Sequence, residues 1–292
     1  MKKVKIWMNG RIVGGKLAKI SVSDRGFLYG DGVFETMRSY AGVVFCLDAH
    51  LDRLFRSLKA ARIRPPYPKV YLKKAIFKTI KAGGFKSAYI RVTITRGEGK
   101  FGLGMDNISR PNTVIVVKEL IDYPDRIYKR GIKALCVSNT RQNEYSPVTS
   151  IKSVNYLNQI VARLDAKARG FDDAILLNTR GNVAEGCASN IFLVKKNVLV
   201  TPSIESGILP GITRDIIIGI ARKHKIPLKE KTVTYRDLIN SDEVFLTNSL
   251  VEVLPVVKIG LKKIGDGSPG DVTRLLALIY QKCVIRGVLH RG

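Results

Sequence analysis

The chain has 292 residues, 45% of them hydrophobic, and its 50 Lys and Arg against 24 Asp and Glu give a formal net charge of +26. That length allows two modest domains or one large one with a well-buried core. The apolar runs Val114–Val117 and Ile216–Ile218 are too short to span a bilayer, and the start Met1-Lys2-Lys3-Val4-Lys5-Ile6-Trp7 lacks the apolar core of a signal peptide, so a soluble cytoplasmic protein is expected.

Strand signals open the chain. Lys5–Met8 and Arg11–Val13 flank Asn9-Gly10, a type I′ hairpin pair, and Val33–Arg38 and Val43–Phe45 flank Ala41-Gly42. Asp48 is expected to cap a helix running to about Ala61 with Leu51, Leu54, Phe55 and Leu58 on one face, and a second helix spans Pro68 to Ala82. Strands at Ala88–Thr95 and Thr113–Lys118 complete an α+β domain over residues 1–118. Glu119 to Lys129, with Asp122, Pro124 and Asp125, has the composition of a linker, taken over 119–130. The second domain, 131–292, begins with a strand at Ile132–Ser138. A helix from Val154 to Arg169 stops at Gly170. Strands at Asp173–Asn178, Ile191–Val194 and Val198–Thr201 precede a helix from Pro210-Gly211 to His224. A strand at Glu243–Thr247 and a helix at Val272–Arg286 follow.

Several chemistries find no support. Cys46, Cys136, Cys187 and Cys283 are widely spaced and His50, His224 and His290 scattered, so neither a metal site, a disulfide framework nor a catalytic triad is suggested. Gly10–Lys16 has P-loop glycine and lysine spacing, but Leu17 stands where a hydroxyl is needed and the segment lies in a hairpin. Gly97-Glu98-Gly99-Lys100-Phe101-Gly102 is not followed by a helix, so it reads as a mobile glycine-rich loop. The basic residues run from Lys2 to Arg291 with no nucleic-acid motif, which favours a solvated basic surface over a nucleic-acid or membrane partner.

Two stretches carry chemistry: Ser150-Ile151-Lys152-Ser153-Val154-Asn155-Tyr156-Leu157-Asn158, and Val183-Ala184-Glu185-Gly186-Cys187-Ala188-Ser189-Asn190. A lysine that forms a Schiff base needs an electron sink, and a pyridine ring used as that sink needs a carboxylate to keep its nitrogen protonated. Leu209-Pro210-Gly211-Ile212-Thr213 ends a loop and starts a helix, offering free N–H groups to an anion. Thr247-Asn248-Ser249 adds small polar donors.

Together with Asp24–Thr36 and His50-Leu51-Asp52-Arg53-Leu54, these ordered segments resemble the class IV aminotransferase family of fold-type IV pyridoxal-phosphate enzymes over nearly the whole chain. The resemblance implies an α+β subunit with a smaller N-terminal domain, a larger C-terminal domain and a cofactor cleft between them, assembled as a homodimer. It also implies pyridoxal 5′-phosphate as cofactor and a small amino-carboxylate as substrate. Lys152 would carry the cofactor and move protons, with Thr36 assisting. Glu185 would hold the ring nitrogen, Tyr156 the ring oxygen, and Arg53, Ile212, Thr213 and Ser249 the phosphate. Tyr29, Phe34, Arg38, Arg96 and Leu250 would contact substrate, and Arg25, Arg38, Arg96 and Arg141 are candidate carboxylate binders. The short spacing from Lys152 to Asn155-Tyr156, Thr36 itself and Thr247-Asn248-Ser249-Leu250 are similar to 4-amino-4-deoxychorismate lyases, which release pyruvate and 4-aminobenzoate. The alternative is a transaminase of D-amino acids or branched-chain L-amino acids. The Arg-x-His of D-amino-acid enzymes is absent after Thr95-Arg96-Gly97.

Overall fold

The computed structural model describes residues 4–289, with side chains through Ile285; the leader reading of residues 1–3, His290 and Arg291 lie outside them. The chain forms two compact units: the chain through Ile121 together with Ile151–Asn155, and Asp122–Ser150 with Tyr156–Arg286. Residues 151–155 thus join the first unit although they follow the start of the second.

The first unit contains β1 (Val4–Met8), β2 (Arg11–Val13), α1 (Arg25–Tyr29), β3 (Gly32–Tyr40), β4 (Val43–Val44), α2 (Leu47–Ala60), α3 (Lys69–Gly83), β5 (Ala88–Thr95) and β6 (Thr113–Glu119). Its six strands run in the order β2-β1-β6-β5-β3-β4, all neighbours antiparallel. Both expected hairpins form: Asn9 and Gly10 have φ of 47° and 106°, and Ala41 and Gly42 have 48° and 84°, the left-handed values that a two-residue turn requires. Alternation along β5 buries Ala88, Ile90, Val92 and Ile94 and leaves Tyr89, Arg91, Thr93 and Thr95 on the other face. The buried face meets Leu51, Leu54 and Leu58 of α2 and Leu72 and Ile76 of α3 in one core that also holds Trp7. Each such side chain contributes ~2 kcal/mol by leaving water.

Two local expectations are corrected. Asp48 is not the cap of α2: Cys46 occupies that position with φ 52°, and Asp48 in the first turn pairs with Lys69 and Lys73. The helix expected from Val154 starts only at Leu157. Residues 152–154 are instead drawn out beside β3, where Phe34 N–H donates to Lys152 C=O (2.9 Å) and Val154 N–H to Gly32 C=O (3.0 Å). These strand-like bonds satisfy the backbone outside a helix, and tertiary pairing overrides local propensity.

The second unit contains α4 (Asp125–Arg130), β7 (Ile132–Gln142), α5 (Leu157–Ala168), β8 (Asp173–Asn178), β9 (Asn182–Gly186), β10 (Asn190–Lys195), β11 (Val198–Pro202), α6 (Ile212–Lys223), β12 (Leu228–Lys231), β13 (Val233–Thr234), α7 (Tyr235–Ile239), β14 (Glu243–Asn248), β15 (Glu252–Ile259), β16 (Lys262–Lys263) and α8 (Asp271–Leu289). The sheet order is β12-β11-β10-β14-β15-β7-β8-β9-β13, with β16 on β15. Ile175, Val183, Ile191, Leu193, Val244 and Leu246 form its apolar core. The stretch read as linker contains α4, and the sequence reading missed β9 and β15. Strand β9 is short and polar at its start, and β15 carries Pro255, a strand-breaking signal. Among the described residues no helix is long and apolar enough to cross a membrane, and no cluster of three or more His, Cys, Asp or Glu could hold a metal ion.

Candidate functional site

In the first unit, Lys152 is held through its backbone. Its N–H donates to Ser57 Oγ (3.3 Å), its C=O accepts from Phe34, and Asn155 Nδ2 donates to Gly30 C=O (2.9 Å). Gly30 is left-handed at φ 68°, and a Cβ there would lie 2.2 Å from Asn155 Oδ1, so glycine is needed for the segment to dock. Lys152 Nζ stands 4.6 Å from the centre of the Phe34 ring, and Arg91 Cζ stands 3.7 Å from the same centre. Thr36 is directly opposite Arg91 in the β3–β5 register, and Arg38 is opposite Tyr89. Phe34, Thr36, Arg38 and Arg91 therefore share the sheet face away from the helices, because side chains alternate along a strand and cross-strand partners share a face. Sequence reasoning missed Arg91. The signal was present: it is the single cation of β5, on the less buried side of a clean alternation.

Beneath that face lies a buried ion network. Glu35, fully buried, accepts from Arg53 Nε at 2.7 Å and Arg53 Nη2 at 2.8 Å, and its Oε2 is 2.8 Å from His50 Nδ1. Burial alone would raise the Glu35 pKa, but the hydrogen bonds and charge of Arg53, with the His50 contact, outweigh it and hold the carboxyl at about 2. His50 is shifted the other way: burial lowers its pKa against the pull of Glu35, which favours a neutral ring donating through Nδ1–H. Glu35 thus holds the Arg53 guanidinium through Nε and Nη2.

Two of the candidate carboxylate binders have partners within the first unit. Arg96 donates from Nε to Asp31 Oδ2 (2.7 Å), from Nη1 to Arg62 C=O (2.8 Å) and from Nη2 to Ala61 C=O (2.8 Å). Arg25 donates to Asp31 (3.1 Å) and to the carbonyls of Gly102 and Gly104 (3.0 and 3.2 Å). Both guanidinium groups brace the framework around Asp31. Tyr29 Oη accepts the Gly102 N–H (2.6 Å), which ties the glycine-rich loop to α1. Arg38 stacks on Tyr40 at 4.5 Å. Arg141, in the second unit, donates to Val137 C=O at 3.0 Å.

The second unit carries its own constellation. Glu185, on β9 and 8% exposed, accepts from Asn190 Nδ2 (3.2 Å) and from Leu209 N–H (3.2 Å) through Oε2. Asn190 also donates to Leu209 C=O at 2.9 Å and so clamps the approach to α6. Sequence reasoning did not single out Asn190. The N-cap of α6 is Gly211, with no side-chain cap, and the buried Thr213 lies in the first turn beside Ile212. Two buried hydroxyls on neighbouring segments, Ser189 Oγ and Thr247 Oγ1, have no hydrogen-bond partner among the described residues. The 248–251 turn is shaped by Asn248, whose Oδ1 accepts from Leu250 and Val251 N–H (2.8 and 2.9 Å) while its Nδ2 donates to Ala188 C=O (3.0 Å). That turn fixes Ser249 and Leu250 beside the Gly186–Asn190 segment. Tyr156 is the N-cap residue of α5.

The family model described as amino-transferase class IV matches residues 32–259. The chain is 40% identical to the "Putative branched-chain-amino-acid aminotransferase" of Methanocaldococcus jannaschii over 94% of each chain. It is 35% identical to the aminodeoxychorismate lyase of Bacillus subtilis, over 98% of this chain and 96% of that one. Among solved structures, the branched-chain aminotransferase of Thermoproteus uzoniensis with norvaline aligns with a TM-score of 0.90 at 35% identity, covering 97% of this chain and 95% of that one. The PLP form of the enzyme from Thermobaculum terrenum aligns at 0.87 with 29% identity, over 96% and 93%.

Proposed function

Because the chain belongs to the amino-transferase class IV family, a family of pyridoxal-phosphate enzymes, we propose that it is an amino-acid transaminase that uses a keto acid as acceptor, with branched-chain L-amino acids as the preferred donors. The observation that carries this reading is Arg91, whose guanidinium shares the Phe34 ring with the Lys152 amine. A cation over the same ring as the reactive amine suits a substrate carrying a carboxylate near the carbon at which a proton moves.

The residues fit the cofactor. The uncapped N-terminus of α6 together with the orphaned Ser189 and Thr247 hydroxyls forms a set of donors that lacks an acceptor, and a phosphate supplies acceptors. Ile212, Thr213, Ser249 and Arg53 are assigned to the phosphate, Glu185 to the ring nitrogen, Tyr156 to the ring oxygen and Lys152 to the covalent attachment. When bound, pyridoxal phosphate supplies an electron sink for the charge developing at the substrate Cα. Lys152 takes the Cα proton and returns it, and its backbone bonds to Ser57 and Phe34 keep its stem in place while it does so. Glu35 orients Arg53, and Asn190 with Leu209 N–H orients Glu185, so both charged groups meet the cofactor pre-organised.

We assign a homodimer. Helix α5 leaves Leu157, Ile160, Val161 and Leu164 exposed, at helical spacing that forms one apolar stripe. Light scattering at micromolar concentration should give twice the chain mass, and Leu164→Glu should shift it toward the monomer.

Leucine with 2-oxoglutarate should give glutamate and 4-methyl-2-oxopentanoate at rates that leave aminodeoxychorismate cleavage negligible. Arg91→Ala should raise KM for monocarboxylate and dicarboxylate acceptors alike, since both carry the carboxylate next to the reacting carbon. No turnover of any L- or D-amino acid would overturn the proposal. A second reading, aminodeoxychorismate lyase, is favoured by Thr36, whose position on the Phe34 face opposite Arg91 suits a hydroxyl assisting the lysine. Its test is release of 4-aminobenzoate and pyruvate from aminodeoxychorismate, and loss of that release in Thr36→Gly.

A further inference from the structure

The charge of this chain is not evenly spread. From Arg53 to Gly97 there are 45 residues with 13 Lys and Arg and no Asp or Glu. Within that stretch the turn between α2 and α3 folds against residues 108–111 and encloses a cavity of about 590 Å³ in the first unit. Four arginines line it, Arg62, Arg64, Arg96 and Arg110, and no carboxylate does.

These four cations differ in how they are held. Arg96 is neutralised by Asp31 and fixed by the carbonyls of Ala61 and Arg62. Arg110 donates to Pro66 C=O at 2.8 Å and lies 4.9 Å from the Tyr67 ring centre, which sets its direction. Arg62 and Arg64 are exposed. Among the described residues neither they nor Arg110 pair with a carboxylate. Arg62 also adopts φ 52°, a left-handed backbone that a long side chain rarely takes, and its carbonyl is spent on Arg96. Arginines that line one concavity repel one another, and a concave site of one sign concentrates ions of the other. The walls between them are apolar, built from Ile63, Pro65, Pro66, Ile108 and Pro111.

We propose that this cleft is a binding site for a small organic phosphate, separate from the residues assigned to the cofactor. A phosphomonoester or diphosphate carries two or three charges and several acceptor oxygens, which suits paired guanidinium forks better than a single carboxylate would. The proline and isoleucine walls receive the organic body, and the cavity has the size of small-molecule sites. A polymer would call for an extended stripe, whereas these arginines converge on one concavity.

The test uses holoenzyme saturated with pyridoxal phosphate, so that the cofactor's own phosphate site is filled. Isothermal titration with inorganic pyrophosphate and with AMP at 150 mM salt should show one site per chain. Binding of both should weaken at least tenfold in Arg64→Ala and further in the Arg62→Ala/Arg64→Ala double variant. Both residues are exposed, so the ligand-free melting temperature should stay unchanged. Lys152→Ala should leave pyrophosphate binding intact, which separates this site from the transaminase reading. Absence of saturable binding, equal binding by wild type and the double variant, or binding of single-stranded RNA with none of either phosphate would overturn the proposal.

Discussion

Replacing Glu35 by Gln removes a negative charge from a buried network in which Arg53 and His50 have side chains 7% and 2% exposed. Breaking a buried ion pair from one side costs ~3–5 kcal/mol, because the surviving charge keeps its desolvation penalty. Gln retains one acceptor oxygen, so ~3 kcal/mol is expected. Linkage gives an independent figure. The Glu35 carboxyl lies at about 2 in the folded chain against an ordinary 4.5, and at ~1.4 kcal/mol per pH unit this corresponds to roughly 3–4 kcal/mol. The folded pKa is depressed, so this stability is fully present above pH 4.5 and is lost as the pH falls toward 2. Roughly a third to a half of it should be gone at pH 3.5. The assay is urea unfolding of holoenzyme and Glu35→Gln at pH 7, 5 and 3.5, followed by fluorescence of Trp7. That residue is the chain's single tryptophan and is buried in the first unit's core, so it reports the unit that contains the network. The wild-type advantage should hold from pH 7 to 5 and shrink by pH 3.5. A variant that loses less than ~1 kcal/mol at pH 7, or a gap that does not move with pH, would refute the reasoning.

Three further outcomes are expected. Glu185→Gln should lower turnover on the order of 100-fold or more, since a neutral amide cannot hold a proton on a ring nitrogen, while circular dichroism and urea midpoint stay near wild type. Gly211→Ala should weaken cofactor retention: its Cβ would lie 1.8 Å from Asn190 Oδ1, and pushing Asn190 off Glu185 removes a hydrogen bond to a charged group, about tenfold in Kd by equilibrium dialysis. Cys136 and Cys187, each pushed up to about 12 by burial, should react with a thiol reagent at pH 8 only after denaturation; rapid native labelling of both would contradict their placement.

Local chemistry was readable along the chain. Asn9-Gly10 and Ala41-Gly42 specify their turns because few residues tolerate left-handed backbone, and the alternation of Ala88–Thr95 marks a strand with one buried face. The ordered segments around Arg53, Lys152, Glu185, Gly211 and Asn248 were legible as well, since turn, helix-start and reactive residues follow one another at fixed spacing. What each side chain meets was not legible. Arg25, Arg91 and Arg96 are equally basic in the sequence, yet two are spent on Asp31 and carbonyls while the third stands over the Phe34 ring. A helix is expected from Val154, and only pairing with β3, more than a hundred residues earlier in the chain, draws residues 152–154 out straight. Lys152 was therefore determined as a residue by the sequence and as a position by the tertiary structure. Turn and helix preferences are properties of a few neighbouring residues, whereas the partner of a strand edge or a guanidinium is set by register and packing between distant segments.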